Sequence, residues 1–353
     1  MKGLILCAGR GTRLYPLSYS QPKTLLPVAN LPVIQHCLQK LLDVGIREIG
    51  IVISPNQLQI PAYVGNGQKY GAVIRYIEQQ EPLGIAHAVS LAESFIAEDK
   101  FALFLGDNLM MESLHSLHDS FTKTDAYAAV LLSEVEKPQD FGIAEVQGEQ
   151  IQSIVEKPQF PKSNLAVIGA YFFTPAIFQV IAGLQPSKRG EYEITDAIAA
   201  LLQQGKKVVH STTKLPYSDV GTMERWLEAN RWMLDKSIGD EVQVGEGSMI
   251  DNCEIIGPVM IGENCLLSNC TIGPYVCIQN GAEVRNCQRI ENSILLEDTK
   301  LVNLDCYIHD SIFGRSSYLV GGVPNVSRQD MGIFIMSDHS TITLPATRRI
   351  GVS

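Results

Sequence analysis

The N-terminal part of the chain, to about residue 235, alternates two hydrophobic patterns. Short runs rich in β-branched and aromatic residues predict strands: "KGLILCAG", "EIGIVIS", "VIRYIEQ", "FALFLGDN", "AAVLLSEV" and "GAYFFTP". Apolar residues at helical spacing predict helices in "IAHAVSLAESFI" and in "PVIQHCLQKLLDVG", which ends at Gly45. Strands that alternate with helices are typical of an α/β fold with a doubly wound, mostly parallel sheet (Rossmann-like). In such a sheet we expect ligands at the carboxyl ends of the strands.

After Gly239 the hydrophobic period changes to six. Apolar residues stand six apart without a break at Ile272, Ile278, Val284, Ile290, Leu296, Val302 and Ile308. They are preceded by Val244, Ile250 and Ile256 and, after a one-residue slip, by Ile261 and Leu267. This period predicts a parallel β-helix of hexapeptide repeats, in which each apolar residue points inward from a short strand.

The change of period divides the chain into two predicted domains. Residues 1–237 form the first, ending in the helical run "GTMERWLEANRWML", and residues 238–353 form the β-helix with a non-repetitive tail from about Pro324. A length of 353 residues also favours two domains.

Charge and composition exclude some classes of partner. The net charge of −10 argues against nucleic acid and anionic membranes, although local cations can still hold a small anionic ligand. No apolar run is as long as a membrane span, and Met1 leads almost directly into the first predicted strand. We therefore expect a cytoplasmic protein without a signal peptide.

The cysteines and histidines show no metal-binding spacing. None of the eight cysteines forms a Cys-x-x-Cys pair, and six of them fall within the repeats. We therefore expect small buried thiols there.

The first predicted strand leads into a loop with two glycines and nearby cations. Gly9 and Gly11 allow the positive φ angles and the close backbone approach that a phosphate-binding loop needs. Arg13 and Lys23 supply positive charge for a triphosphate. The segment lacks the ending of a P-loop and the acidic residue of a dinucleotide fingerprint. On these residues alone, a glycine turn with solvated cations remains the other interpretation.

The longer segment "GRGTRLYPLSYSQPKTLLPVANLPVI" resembles the signature of the sugar-1-phosphate nucleotidyltransferases. Further segments follow in the order of that family: "EQQEPLGIAHAV", "FLGDN", "DFGIAEV", "SIVEKP", "VIGAYFF", "GEYEITD" and "YSDVGT". The residues around Pro22-Lys23 are most similar to the long-form glucose-1-phosphate thymidylyltransferases, which carry a C-terminal left-handed β-helix. The resemblance implies transfer of a nucleotidyl group from dTTP to α-D-glucose 1-phosphate, giving dTDP-glucose and pyrophosphate.

The resemblance also implies a role for individual residues. Arg13 would hold the β- and γ-phosphates, Lys23 the α-phosphate and Lys157 the phosphate of the sugar substrate, so these three are the expected catalytic residues. The implied nucleotide-binding set is Leu6, Ala8, Gly9, Gly11, Thr12, Arg13, Gln79, Pro82 and Gly84. The implied sugar-phosphate set is Gly142, Glu156, Lys157 and Val167.

Two residues in these segments have alternative interpretations. Gln79 matches the glutamine that reads the base, but Gln80 beside it offers the same amide. Glu193 either contacts the sugar or caps the helix that follows it.

Two carboxylates match the metal ligands of the family. Asp107 ends "FALFLGD", at the edge where such a sheet binds its ligands, and Asp219 lies in "SDVG". Because Mg²⁺ favours one or two carboxylates together with phosphate oxygens, Mg²⁺ is the expected cofactor. Taken alone, Asp107 could cap a turn and Asp219 could lie in an ordinary loop.

Several alternatives to a dTTP-dependent enzyme remain. UTP or N-acetylglucosamine 1-phosphate could be the substrate, and a bifunctional enzyme could transfer acyl groups in the β-helix, where His309 is the available histidine. A regulatory subunit would normally lack Arg13, Lys23, Asp107 or Asp219, all of which are present. We expect a homo-oligomer formed partly through the β-helix. The β-helix itself should be a separable scaffold, so that the first domain alone retains the reaction if it stays folded.

Overall fold

The computed structural model describes residues 1–9, 11–321 and 331–344. Within them the chain divides into two compact units: residues 1–9, 22–25 and 33–219 form the first, and residues 11–21, 26–32, 220–321 and 331–344 form the second. The helices are α1 (Val33–Asp43), α2 (Gln59–Val64), α3 (Ile85–Ser90), α4 (Glu93–Ile96), α5 (His115–Thr122), α6 (Ala176–Ala182), α7 (Ile194–Gln203) and α8 (Met223–Ile238). In this described part, no helix has the length and apolar character needed to cross a membrane.

Short strands precede and follow most of these helices. In chain order they are β1 (Lys2–Leu6), β2 (Pro27–Val28), β3 (Leu31–Pro32), β4 (Glu48–Ile53), β5 (Val73–Glu78), β6 (Phe101–Leu105), β7 (Leu109–Met110), β8 (Ala128–Glu134), β9 (Gly142–Gln147), β10 (Gln150–Glu156), β11 (Leu165–Phe173), β12 (Val208–Thr213) and β13 (Tyr217–Ser218). The runs predicted as strands in the N-terminal part are all confirmed, with shifts of a few residues at their ends.

The main sheet of the first unit has the order β5-β4-β1-β6-β11-β8-β12-β10-β9. β1 pairs in parallel with β4 and β6, and β12 pairs in parallel with β8, as helical crossovers require. The expected doubly wound sheet is confirmed, but β10 and β11 run against the other strands. β10 reverses direction because it follows β9 through a tight turn at Gly148, whose φ is 59°.

The first predicted helix forms as expected. α1 buries its apolar residues at helical spacing, and the chain turns at Gly45 with a φ of 81° just after the helix ends. The second predicted helix, over residues 85–96, is divided into α3 and α4. A continuous core covers the sheet and includes Leu4, Leu103, Val130, Phe173 and Ile198.

The second unit contains a stack of parallel strands. They are β14 (Val242–Val244), β15 (Met249–Ile255), β16 (Val259–Ile261), β17 (Leu266–Ile272), β18 (Val276–Ile278), β19 (Glu283–Glu291), β20 (Ser293–Leu295), β21 (Lys300–His309), β22 (Ile312–Phe313), β23 (Tyr318–Val320), β24 (Met331–Gly332), β25 (Ile335–Met336) and β26 (Thr341–Thr343). Two parallel sheets result, β14-β16-β18-β20-β22-β25 and β15-β17-β19-β21-β23-β26. Parallel strands thus lie where the hexapeptide period predicted them, and the left-handed β-helix stays a prediction.

Most of the predicted inward positions are buried, but two parts of the pattern are wrong. Val302 is only half-buried, while Leu301 is fully buried and lies opposite Val284, so the coil is one residue shorter here than three hexapeptides. At the start of the stack Val244 and Ile250 are 48% and 39% exposed, because β14 and β15 have a neighbouring coil on one side only.

The tail extends the stack although its sequence shows no period. β24, β25 and β26 pair in parallel with β21, β22 and β23. Residues 322–330 and 345–353, which belong to the predicted non-repetitive tail, lie outside the described residues. The expected buried thiols are found at Cys7, Cys37, Cys265, Cys270, Cys277 and Cys287, whereas Cys253 and Cys306 are half-buried.

Candidate active site

The loop after β1 uses its two glycines in different ways. A Cβ atom at Gly9 would stand 3.3 Å from Cε of Lys23, closer than an ordinary contact. Gly11 has a left-handed backbone with a φ of 61° and precedes a short 3₁₀ helix, Thr12–Leu14. Gly9 therefore allows the close approach of a neighbouring side chain, and Gly11 adopts the positive φ, as expected of the two glycines together.

Thr12 and Arg13 begin this 3₁₀ helix, which belongs to the second unit. Both side chains are exposed. The hydroxyl of Ser18 donates a hydrogen bond of 2.7 Å to the carbonyl oxygen of Gly11 and holds the loop in place.

A cleft of about 230 Å³ lies in the first unit at the carboxyl ends of β1 and β6. Lys23 and Asp107 face each other in it, and Nζ of the lysine donates to Oδ2 of the aspartate. Their side chains are only 15% and 19% exposed, so solvent screens this ion pair less than a surface pair. The same cleft brings together most of the predicted nucleotide-binding set, namely Leu6, Ala8, Gly9, Gln79, Pro82 and Gly84.

The amide side chain of Gln79 also lines this cleft. It is buried, and its Nε2 lies 3.4 Å from the carbonyl oxygen of Gly84 and 3.0 Å from Nδ1 of His87. Gln80, the competing residue, is exposed and donates to Oε2 of Glu78 at 3.1 Å. The geometry therefore favours Gln79 as the base-reading residue, a role that stays a prediction.

The two residues predicted as metal ligands lie next to paired strands. Asp107 precedes β7 and Asp219 directly follows β13. The two strands are antiparallel, with Ser218 opposite Leu109. One more step of the same register would set Asp219 opposite Asn108, the neighbour of Asp107, so the backbones that carry the two carboxylates lie close together.

Their surroundings determine what kind of cation they could hold. Within residues 1–9, 11–321 and 331–344, no group of three or more His, Cys, Asp or Glu side chains is arranged as a metal site. Two carboxylates with phosphate oxygens are a donor set that suits Mg²⁺, which is rarely enclosed by protein ligands alone. The residues present therefore fit the expected cofactor.

Asn108, the residue after Asp107, connects this part of the chain to β11. Its Nδ2 donates to the carbonyl oxygen of Ile168 at 2.6 Å, where the register of β11 shifts. A Cβ atom at Gly169 would stand 2.1 Å from that Nδ2, so the contact requires glycine. Val167, predicted to line the sugar pocket, is buried just before this irregularity.

Glu156 and Gly142 of the predicted sugar-phosphate set are strand partners. A Cβ atom at Gly142 would stand 3.1 Å from Oε2 of Glu156 and 2.5 Å from Cγ2 of Thr195. The Thr195 hydroxyl donates to Oε2 of Glu156 at 3.0 Å. Burial raises the pKa of the Glu156 carboxyl above its ordinary value, while the Thr195 hydrogen bond opposes that change. Oε1 faces the guanidinium of Arg189 at a longer distance of 3.5 Å.

Sequence reasoning missed Arg189, which organises the acidic residues around Glu156. Its Nη2 lies 2.8 Å from Oε1 of Glu193 and 3.2 Å from Oε2 of Glu191. Glu193 does occupy the N-cap of α7, but its side chain makes no capping bond and pairs with the arginine instead. The missed signal was the position of Arg189, directly before the family-like segment "GEYEITD".

Lys157 follows β10 in an uncommon backbone conformation. Its φ is 42°, and its N–H donates to the carbonyl oxygen of Phe141 at 2.9 Å. A side chain other than glycine at this φ is strained, and such strain is often found at binding sites. The lysine side chain is exposed, as a phosphate ligand would require.

Comparisons with known proteins match both units. Residues 2–236 match the family model described as nucleotidyl transferase, and residues 255–327 match the GMPPB C-terminal domain. A glucose-1-phosphate thymidylyltransferase from Streptomyces antibioticus is 35% identical over 98% of this chain and 99% of its own length. The low-salt glycan biosynthesis nucleotidyltransferase Agl11 of Haloferax volcanii is 38% identical over 90% of this chain and 93% of its own length.

A solved structure agrees with these matches. A crystal structure of a Bacillus anthracis protein in complex with sucrose superposes with a TM-score of 0.62 at 36% identity, covering 66% of this chain and 94% of that one. A family model that spans most of the first unit, together with relatives matched almost end to end, settles the family. This chain belongs to the nucleotidyl transferase family.

Proposed function

We propose that the protein transfers a thymidylyl group from dTTP to α-D-glucose 1-phosphate and releases pyrophosphate. The observation that carries this proposal is the single cleft that joins the buried amide of Gln79 to the Lys23–Asp107 pair. An amide can pair with the imide edge of thymine or uracil, and a lysine that lines the same cleft suits the phosphates. The similarity to the Streptomyces thymidylyltransferase over nearly the whole chain supports glucose 1-phosphate as the acceptor.

The reaction needs positioned positive charge more than a protein nucleophile. A phosphate oxygen of the sugar attacks the α-phosphorus in line, and negative charge increases on the departing pyrophosphate. Lys23 holds the α-phosphate, Arg13 the β- and γ-phosphates, and Lys157 the phosphate of the attacking sugar. As the triphosphate binds, its oxygens compete with Asp107 for the ammonium of Lys23, which releases the carboxylate from its ion pair.

Asp107 and Asp219 are the residues that would hold Mg²⁺. A divalent cation at these carboxylates neutralises phosphate charge and orients the reacting groups.

The sugar is bound beside the phosphates by the residues around Glu156. The carboxylate of Glu156 accepts hydrogen bonds from sugar hydroxyls, and the Thr195 hydroxyl keeps one of its oxygens in position. Arg189 contacts three glutamates there and offsets part of the negative charge that an anionic substrate would meet.

The second unit is proposed to be a left-handed β-helix through which copies of the chain associate. The exposed apolar residues at its first coil, among them Val244, Met249 and Ile250, form a surface that a second copy can cover.

The proposal is tested by steady-state assays of the four common nucleoside triphosphates and dTTP against glucose, N-acetylglucosamine and mannose 1-phosphates. Pyrophosphate release is measured with Mg²⁺ and with excess EDTA. The highest kcat/KM is expected for dTTP with glucose 1-phosphate, and activity should be lost in EDTA. A higher kcat/KM with UTP or another sugar would replace the proposed substrates. Full activity of Asp107→Ala in EDTA would contradict the metal assignment, and no turnover with any pair would favour a regulatory subunit.

A further inference from the structure

The orientation of the Gln79 amide is set by two neighbours on the same side. Its Nε2 faces the carbonyl oxygen of Gly84 at 3.4 Å and Nδ1 of His87 at 3.0 Å. A carbonyl oxygen can only accept, so the atom turned toward it must be the nitrogen. Since that nitrogen only donates, the imidazole must accept through Nδ1 and carry its proton on Nε2.

Of these two hydrogen bonds, the one to His87 is shorter and has the greater influence. A distance of 3.4 Å from Nε2 to Gly84 is near the limit for an N–H···O bond, whereas 3.0 Å to His87 is typical. His87 lies on α3, whose neighbouring residues Ala86 and Ala88 are buried, so its backbone is fixed by packing. The imidazole is itself half-buried, near the ring of Tyr192.

A fixed amide discriminates between bases. With Nε2 held on the protein side, Oε1 is the amide atom that remains for the ligand. Oε1 only accepts, so it pairs with the N3–H of thymine or uracil. Cytosine has a lone pair at N3. A hydrogen bond to this atom would require the Gln79 amide to flip and turn Oε1 toward the Gly84 carbonyl oxygen. That flipped amide places two acceptors against each other and is disfavoured.

We propose that His87 is a positioning residue that makes the site selective for pyrimidines bearing an N3–H. The proposal deepens the proposed function and rests on it, since it assumes that Gln79 meets the base. His87 itself touches no substrate; it acts through the rotation of the Gln79 side chain. His87 does not affect the choice between thymine and uracil, because both bases carry the same N3–H.

Three variants separate the hydrogen bond from the bulk of the side chain. His87→Leu keeps much of the volume but removes the acceptor, and His87→Ala removes the ring without adding bulk. His87→Asn sets its Oδ1 where Nδ1 of the imidazole stands, two bonds from Cβ, and so restores an acceptor. His115→Leu, on the exposed face of α5, is the matched control for loss of an imidazole.

The readout is the ratio of kcat/KM for dTTP to that for dCTP, with glucose 1-phosphate fixed and pyrophosphate measured. His87→Leu and His87→Ala should lower this ratio by about tenfold, because roughly one hydrogen bond no longer opposes the amide flip. The change should appear mainly in KM, and His87→Asn should recover most of the ratio while His115→Leu leaves it unchanged. A ratio that stays at the wild-type value in both His87→Leu and His87→Ala would overturn the proposal.

Failure of the proposed function is recognised separately. If the wild-type protein turns over no dTTP, that function is wrong. The same comparison is then made by calorimetric binding of dTTP and dCTP to the wild type and the variants. A binding ratio that falls in His87→Leu and returns in His87→Asn supports the positioning role, and an unchanged ratio overturns it.

Discussion

At the scale of single residues, the proposed function assigns the phosphates to cations in two different surroundings. Arg13 is exposed on a short 3₁₀ helix, whereas Lys23 is mostly buried and paired with Asp107. Arg13→Ala should lower kcat by ~10²–10³, as when one preorganised charge-stabilising donor is removed. Arg13→Lys should recover only part of it, since an ammonium cannot bond two phosphate oxygens as a guanidinium does. Wild-type kinetics in the lysine variant would show that Arg13 only attracts substrate.

Glu156 gives a prediction about pH. Burial raises the pKa of its carboxyl, so the folded chain binds this proton more tightly than the unfolded chain. The free energy of unfolding should therefore fall as the pH rises from the ordinary value of 4.5 through the raised pKa. Glu156→Gln keeps an acceptor for Thr195 but has no proton to lose. Its melting temperature should rise relative to the wild type between about pH 4 and pH 7. A difference that is constant across this range would contradict the assignment.

Prediction from sequence identified some of these single residues and missed others. Gln79 and Asp107 could be identified partly because each lies close after a strand, where a doubly wound sheet gathers its ligands, whereas Lys23 was identified because its segment resembles the family signature. Arg189 and His87 could not, because their importance depends on contacts with Glu193 and Gln79 that only the folded chain creates.

At the scale of elements, a ladder of asparagine side chains links β17, β19 and β21 of the second unit. Asn286 has a φ of 53°, accepts from Asn269 at 2.9 Å and donates to Asn303 at 2.8 Å. The hydrophobic period predicted the strands but not this ladder, whose members are 17 residues apart rather than three times six. The same short coil explains why Leu301 replaces Val302 as the inward residue.

The ladder can be tested at its centre. Asn286→Ala removes the two side-chain hydrogen bonds. It also puts alanine at a positive φ, and this backbone conformation costs a residue with a Cβ atom about 1–2 kcal/mol. Asn286→Gly loses the same bonds but tolerates the backbone, so it should destabilise the protein less. Urea unfolding followed by circular dichroism measures both. Equal losses would show that the backbone conformation contributes nothing, and no loss in either variant would contradict the ladder as a stabilising element.

At the scale of the whole molecule, the chain's contacts divide it differently from its sequence. The change of period indicates a boundary near residue 237, yet residues 11–21 and 26–32 pack in the unit that contains the coils. The indole of Trp226 donates to the carbonyl oxygen of Pro27 at 2.6 Å, and Nδ2 of Asn30 donates to that of Ile278 at 2.9 Å. Contacts between residues so far apart in sequence leave no local pattern, so hydrophobic periodicity cannot show them.

These contacts change what truncation should do. A chain that ends at Ser237 keeps Trp226 but loses the Ile278 carbonyl oxygen, which accepts a hydrogen bond from Asn30. It also loses Asp338, whose Oδ2 accepts a hydrogen bond of 2.6 Å from the Ser20 hydroxyl. Both losses fall on the segments that flank Lys23, and one of those segments carries Arg13. We therefore expect the truncated chain to change its oligomeric state and, where it remains folded, to lose most of its turnover while still binding nucleotide. Light scattering, circular dichroism and pyrophosphate release measure these properties, with full-length Asn30→Ala as the control that removes only the hydrogen bonds of the Asn30 side chain. A folded truncation with wild-type kcat would show that the coils are only a scaffold and that the loop bearing Arg13 holds its position without them.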